Sequence, residues 1–141
     1  MDNFLSFRDD QTSTEEAVSL EAFLGQSNAN VVRIEPGEDA RALLPHIDRI
    51  ARVEISFPAY TDGRGYSSAQ ILREQGYVAE LRACGDVLVD QLPYMRRCGF
   101  DSFASDAPLD PKVVKSSLER YEDQYQKTVD GRQPIWAKRH G

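Results

Sequence analysis

Between residues 31 and 103 the hydrophobic period switches repeatedly from two residues to about 3.6 and back, the pattern of short strands alternating with amphipathic helices. VVRI (31–34), RVEISF (52–57) and the runs 78–83 and 100–103 read as strands. The stretches 38–50, 67–75 and 86–97 read as the helices between them. A last helix begins at Pro111, a residue suited to a first helical turn. Strands separated by helices need crossover connections, so neighbouring strands are expected to be parallel. The fold class is therefore α/β: repeated βα units around a parallel sheet of about four strands, either half-barrel-like or a small open sheet.

Local punctuation fits this pattern. Gly76 and Gly99 fall where helices should end, and each is followed by an aromatic residue that opens the next strand. Ser67 and Gln70 have capping-box spacing, and Asp86 is placed to cap the third helix. Pro93 lies inside that helix, which either kinks or starts later with Asp90 as its cap.

With 141 residues and 40% hydrophobic content, the chain fills one core and not two. Residues 1–30 read as a polar extension with a short helix near 15–24, residues 31–128 as a single α/β domain, and residues 129–141 as a tail that tucks Trp136 against the body. The edges of strands such as VVRI and FDSF need cover that the lead and the last helix supply only in part. A homodimer is the expected remainder.

Charge and composition narrow the partners. A formal net charge of −6 repels phosphate backbones and anionic lipid surfaces, so neither nucleic acid nor membrane is an expected partner. No apolar run approaches the roughly 20 residues of a membrane span, and the start MDNFLSFRDDQ lacks the segments of a signal peptide, so a cytoplasmic location is expected. Cys84 and Cys98 lack CxxC spacing, and the βα geometry puts them at opposite edges of the sheet, so neither a disulfide nor a metal site is expected. His46 and His140 read as structural or incidental. No P-loop, GxGxxG or flavin, haem or iron–sulfur run is present, and no cofactor is expected.

The candidate chemistry lies in TDGRGYS, which leaves the second strand at the carboxyl edge, where ligands of parallel α/β sheets bind. Gly63 and Gly65 allow close backbone approach around Arg64, and the helix that begins near Ser67 offers free N–H groups. Arg82, near the end of the third strand, is placed to converge with Arg64 on a phosphate, sulfate, sulfite or carboxylate. The competing reading is a turn braced by an Asp62–Arg64 salt bridge. Tyr60 and Tyr66 flank the loop and can wall a pocket. Asp86, Asp90 and Gln91 are polar groups of the next loop and helix. Cys84 is a nucleophile only if Arg82 lowers its pKa; with no histidine to pair, it reads as a plain thiol.

The stretch FPAYTDGRGYSSAQILREQGYVAELRACGDVLVDQLPYMRRCGFDSF resembles the signature block of a bacterial family of unknown function, whose members are often encoded beside assimilatory sulfite reductase and are labelled oxidoreductases of sulfite reduction. The matching positions are Asp62 to Ser67, then Leu81, Arg82, Ala83, Gly85 and Asp86, then Asp90 and Gln91, then Arg97, Gly99, Phe100 and Asp101. The family brings no established catalytic residues. The resemblance implies an accessory protein of assimilatory sulfate or sulfite reduction, binding a small oxyanion or a partner at the DGRG edge. One alternative is a docking module for sulfite reductase or its electron donor. Another is a small (βα) enzyme acting on a phosphate ligand. Whether the chain is an enzyme stays open at this point.

Overall fold

A computed structural model describes residues 3–10, 13–25, 28–58 and 64–128, with side chains to residue 119. Six strands form one sheet: β1 (Phe4–Ser6), β2 (Val18–Ser19), β3 (Val31–Ile34), β4 (Arg52–Phe57), β5 (Glu80–Gly85) and β6 (Ser102–Ser105), in the order β1-β6-β5-β4-β3-β2. All pairs are parallel except β1 with β6. The expected four strands are β3 to β6. The two extra strands come from the polar lead, where three and two residues are too short to announce themselves by alternation. They pair with the edges of β6 and β3, the edges expected to need cover.

Strands β2 to β6 lie side by side in sequence order. With right-handed crossovers, such a single winding carries all its helices on one face. The core is built accordingly. Val32, Ile34, Val53, Ile55, Phe57, Leu81, Ala83 and Phe103 project from the sheet into one cluster with Phe23, Leu43, Leu72, Leu92, Met95 and Val114 from the helical layer. That layer contains α1 (Leu20–Gly25), a 3₁₀ helix (Ala40–Arg49), α2 (Arg64–Glu74), α3 (Leu92–Cys98) and α4 (Pro111–Thr128).

Prolines explain two departures. The stretch expected as an α-helix over 38–50 is wound as 3₁₀ with Pro45 inside it, a residue that cannot donate the bond an α-helix interior requires. The third helix starts late, as the position of Pro93 allows, so that this proline falls in its first turn. Gln91, not Asp90, holds the cap position, with no side-chain cap bond. Asp86 does not hold the cap position of α3, which begins six residues further on. Ser67 is likewise not a cap, since α2 already starts at Arg64. Gly76 and Gly99 do end helices, at φ of 100° and 120°. Cys84 and Cys98 are both free and buried, Cys84 on the sheet face away from the helices and Cys98 within the helical layer. Trp136 and the tail 129–141 lie outside the described residues. No described helix is long and apolar enough to cross a membrane.

Candidate functional site on the open sheet face

Parallel strands covered on both sides are usually apolar on both. In β4 and β5 the alternate residues Arg52, Glu54, Ser56, Glu80, Arg82 and Cys84 are instead charged or polar, and with Arg33 of β3 they share the face that carries no helix. The register sets Arg33, Glu54, Arg82 and Ser102 in one row across four strands, with Arg52 beside Glu80 in the row below. Arg33 Nη2 donates to Glu54 Oε1 at 2.9 Å, Arg52 Nε donates to Oε2 at 2.9 Å, and Arg82 Nη1 stands 3.8 Å from Oε2. Glu54 is thus a buried carboxylate among three guanidinium groups. Burial alone pushes its pKa up, but the hydrogen bond from Arg33 and the charges of Arg52 and Arg33 outweigh burial, and the net direction is down. The Glu54 bond raises Arg33 in return, against the cost of its own desolvation.

The network continues across the sheet. Arg82 Nη2 donates to Glu80 Oε2 at 2.7 Å and Nε to Ser102 Oγ at 3.2 Å, while Ser102 Oγ donates to Glu80 Oε2 at 2.6 Å. The Arg82 guanidinium also lies 4.5 Å above the Phe4 ring. Arg52 donates to the carbonyls of Ser13 and Glu15, which fastens the lead across the lower end of this face. The strands themselves carry three arginines against two glutamates on this face, and Glu15, Glu16, Glu35 and Asp106 add negative charge around its clefts.

Beside the charged row, toward the carboxyl edge, runs a cleft of about 490 Å³. Its floor is the next row in register, Ser56, Cys84, Ala104 and Phe4 on β4, β5, β6 and β1, and its first three side chains are small enough to leave the space. Arg33 and Glu54 form one wall, and Pro58, Gly85, Ser105 and Asp106 contribute to the rim. A second cleft, about 480 Å³, lies toward β2 and shares Arg33 and Glu54 with the first. Of the three arginines around Glu54, Arg33 reaches solvent: its side chain is 42% exposed, against 4% for Arg52 and 13% for Arg82.

Cys84 lies in the cleft floor, and burial, with the charge of Glu54 next, pushes its pKa up to about 12. Its Sγ donates to Glu54 Oε1 at 3.7 Å. It is a protonated donor and not a thiolate nucleophile, as a cysteine without a histidine partner should be. Gly85, at φ 104°, makes the turn out of β5 so tightly that a Cβ would stand 2.6 Å from the Phe57 carbonyl, which accepts from the Asp86 N–H at 2.7 Å.

The residues singled out by sequence are spread over both sides of the sheet. Asp62 and Gly63, like Tyr60, lie outside the described residues. Arg64 opens α2, and its Nη1 lies 3.4 Å from where a Cβ on Gly37 would be, so it reaches across to the loop after β3. Gly65 serves packing: a Cβ there would come within 2.5 Å of the Phe57 ring. The Tyr66 ring contacts Phe57 at 5.3 Å and Tyr94 at 5.0 Å. Ser67 is exposed on α2, Asp90 is exposed in the 3₁₀ turn Val89–Gln91, and Gln91 is part-buried before α3. Arg82 sits mid-strand on the open face, while Arg64 belongs to the helical layer. Of the residues weighed from the sequence, Cys84 and Gly85 line the 490 Å³ cleft, whereas Arg64, Gly65, Tyr66, Ser67, Arg82, Asp86, Asp90 and Gln91 do not. Arg33, Glu54 and Ser56, which line it, were not singled out, although RVE, ELR and the Arg of VVRI place charges at every second strand position. That spacing signals a sheet face without helices. Among the described residues no group of three His, Cys, Asp or Glu could hold a metal ion.

Single winding, one helical layer and an opposite face of paired charges define an α/β protein with a polar sheet face that carries no helix. The chain belongs to a family described as bacterial protein of unknown function (DUF934), whose family model matches residues 31–136. Neither curated proteins nor solved structures give a match.

Proposed function

We propose that this protein is a cytoplasmic accessory protein of assimilatory sulfate or sulfite reduction that binds a small oxyanion at the carboxyl edge of its half-barrel-like sheet, with Arg33 as the guanidinium that meets it. The sulfur setting rests on the resemblance of the block around DGRGYS. The oxyanion rests on one observation: of the arginines gathered at Glu54, Arg33 is the exposed one, and it opens onto a 490 Å³ cleft at the edge where ligands of parallel sheets collect. A guanidinium has five N–H donors in a fixed fork, and the bond to Glu54 uses one of them. Glu54, Arg52 and Arg82 act through Arg33 by fixing its position. The DGRG segment begins four residues after Pro58, a residue of the rim.

Calorimetric titration with sulfite, sulfate and phosphate tests the binding. Saturable heat that disappears in Arg33→Ala is the expected result, and silence with all three anions sinks the reading. For the setting, a deletion strain should grow poorly on sulfate or sulfite and normally on cysteine. Equal growth on every source removes the link to sulfur.

A further inference from the structure

The cleft is larger than a bare oxyanion requires, and most of its floor carries no charge. Water in the liquid occupies about 30 Å³ per molecule, and a tetrahedral oxyanion displaces roughly two or three waters, a small part of 490 Å³. Its length is set by the sheet. Ser56, Cys84, Ala104 and Phe4 stand on four adjacent strands, and three strand spacings amount to roughly 14 Å. The two ends differ in chemistry. Arg33 stands on β3, beyond the Ser56 end. At the other end are the Phe4 ring, 42% exposed, and the carboxylate-bearing Asp106. Between them the floor offers the Ser56 hydroxyl, a protonated thiol, a methyl group and, at the rim, Pro58, none of which carries charge at neutral pH, while Glu54 stands beside Arg33 at the head end. A ligand that fills this space has one anionic head and an elongated apolar body, and a second negative group at its far end would meet Asp106.

We infer that the cleft takes an organic monoanion, a carboxylate or sulfonate, whose head binds Arg33 and whose apolar body lies over Cys84 and Ala104 toward Phe4. This rests on the oxyanion reading above and names its ligand class. The head forms a charge-assisted hydrogen bond to the guanidinium. The body is held by burial of apolar surface, which scales with chain length.

The test is a set of calorimetric titrations of the full chain with sulfite, methanesulfonate, hexanesulfonate, acetate, hexanoate and adipate. Half-burial of five added methylenes corresponds to about thirtyfold tighter binding of hexanesulfonate than methanesulfonate, and the four methylenes added from acetate to hexanoate to about fifteenfold. Comparing the two series shows which head the cleft prefers. Adipate should bind more weakly than hexanoate. Arg33→Ala should abolish binding of all of them. Phe4→Ala should remove the gain from chain length. Since Phe4→Ala also loosens an edge strand, Ala104→Leu provides a second variant: it fills the floor without removing a contact and should produce the same loss. If sulfite binds as tightly as hexanesulfonate and neither variant changes the ratio, the organic-ligand inference falls while oxyanion binding stands. If none of the six binds, both fall.

Discussion

Glu54→Gln keeps the shape of the side chain and removes the one negative charge shared by Arg33, Arg52 and Arg82. The cost follows from where those partners sit. Arg33, with its side chain 42% exposed, is solvated in the variant and contributes little. Arg52, 3% exposed, keeps the carbonyls of Ser13 and Glu15 but loses its counter-charge, and Arg82 keeps Glu80. Removing one partner of a buried pair costs about 3–5 kcal/mol; with carbonyls still bound to Arg52, the low end of about 3 kcal/mol is expected. At roughly 3 °C per kcal/mol for a chain of this size, the melting temperature falls by about 9 °C.

The pH dependence carries a sign. The folded-state pKa of Glu54 lies below its ordinary value of 4.5, so its contribution to stability is fully present above 4.5 and fades as the pH falls through the folded value. Urea denaturation of wild type and Glu54→Gln at pH 7, and at steps from pH 5 downward, should therefore show a gap that is constant near neutrality and narrows below 4.5. A gap within about 0.5 kcal/mol at pH 7, the range of an ordinary surface change, would refute the account of Glu54 as the centre of the network. So would a large gap that does not change with pH.

Two further outcomes follow from the cleft floor and rim. Gly85→Ala places a Cβ 2.6 Å from the Phe57 carbonyl at φ 104°, and should destabilise the chain by at least about 2 kcal/mol in urea; a loss below 0.5 kcal/mol would show that the turn relaxes freely. Cys84, with its pKa pushed up to about 12, should resist iodoacetamide at pH 8 in the folded protein and react once the protein is unfolded, as followed by mass spectrometry. Rapid alkylation in the native state would contradict its place as a protonated donor to Glu54.

What the sequence discloses depends on how local the cause is. VVRI and RVEISF read as strands and are strands with the same ends, because β-branched residues alternate there without interruption. The next two strands start two residues later than expected, since the apolar residues that seemed to open them, Tyr77 and Phe100, belong to helix-ending turns. Their N–H groups bond back to the carbonyls of Leu72 and Met95, and their side chains pack into the core from there. β1 and β2 owe their existence to partners 100 and 14 residues away in register, Phe4 with Ala104 and Val18 with Val32, and nothing in FLS or VS specifies those partners locally. The site is the same problem on a larger scale. TDGRGYS draws notice because its unusual residues are contiguous, whereas Arg33, Glu54, Ser56, Cys84, Ala104 and Phe4 come from five strands and become neighbours only through register. The alternating charges do show that one sheet face is polar. That Arg33 is its solvent-facing member follows from the lead covering Arg52, a contact between residues 37 and 39 positions apart.

Amide chemical shifts report residue by residue whether an anion binds beside Arg33 in the open-face cleft. In a titration of the isotopically labelled chain with hexanesulfonate and, separately, sulfite, the shifts that move should be those of Arg33, Ser56, Cys84, Gly85, Ala104 and Ser105, and they should stop moving in Arg33→Ala. Shifts confined to the start of α2 around Arg64, on the helical side of the sheet, or shifts that persist unchanged in Arg33→Ala, would contradict the account.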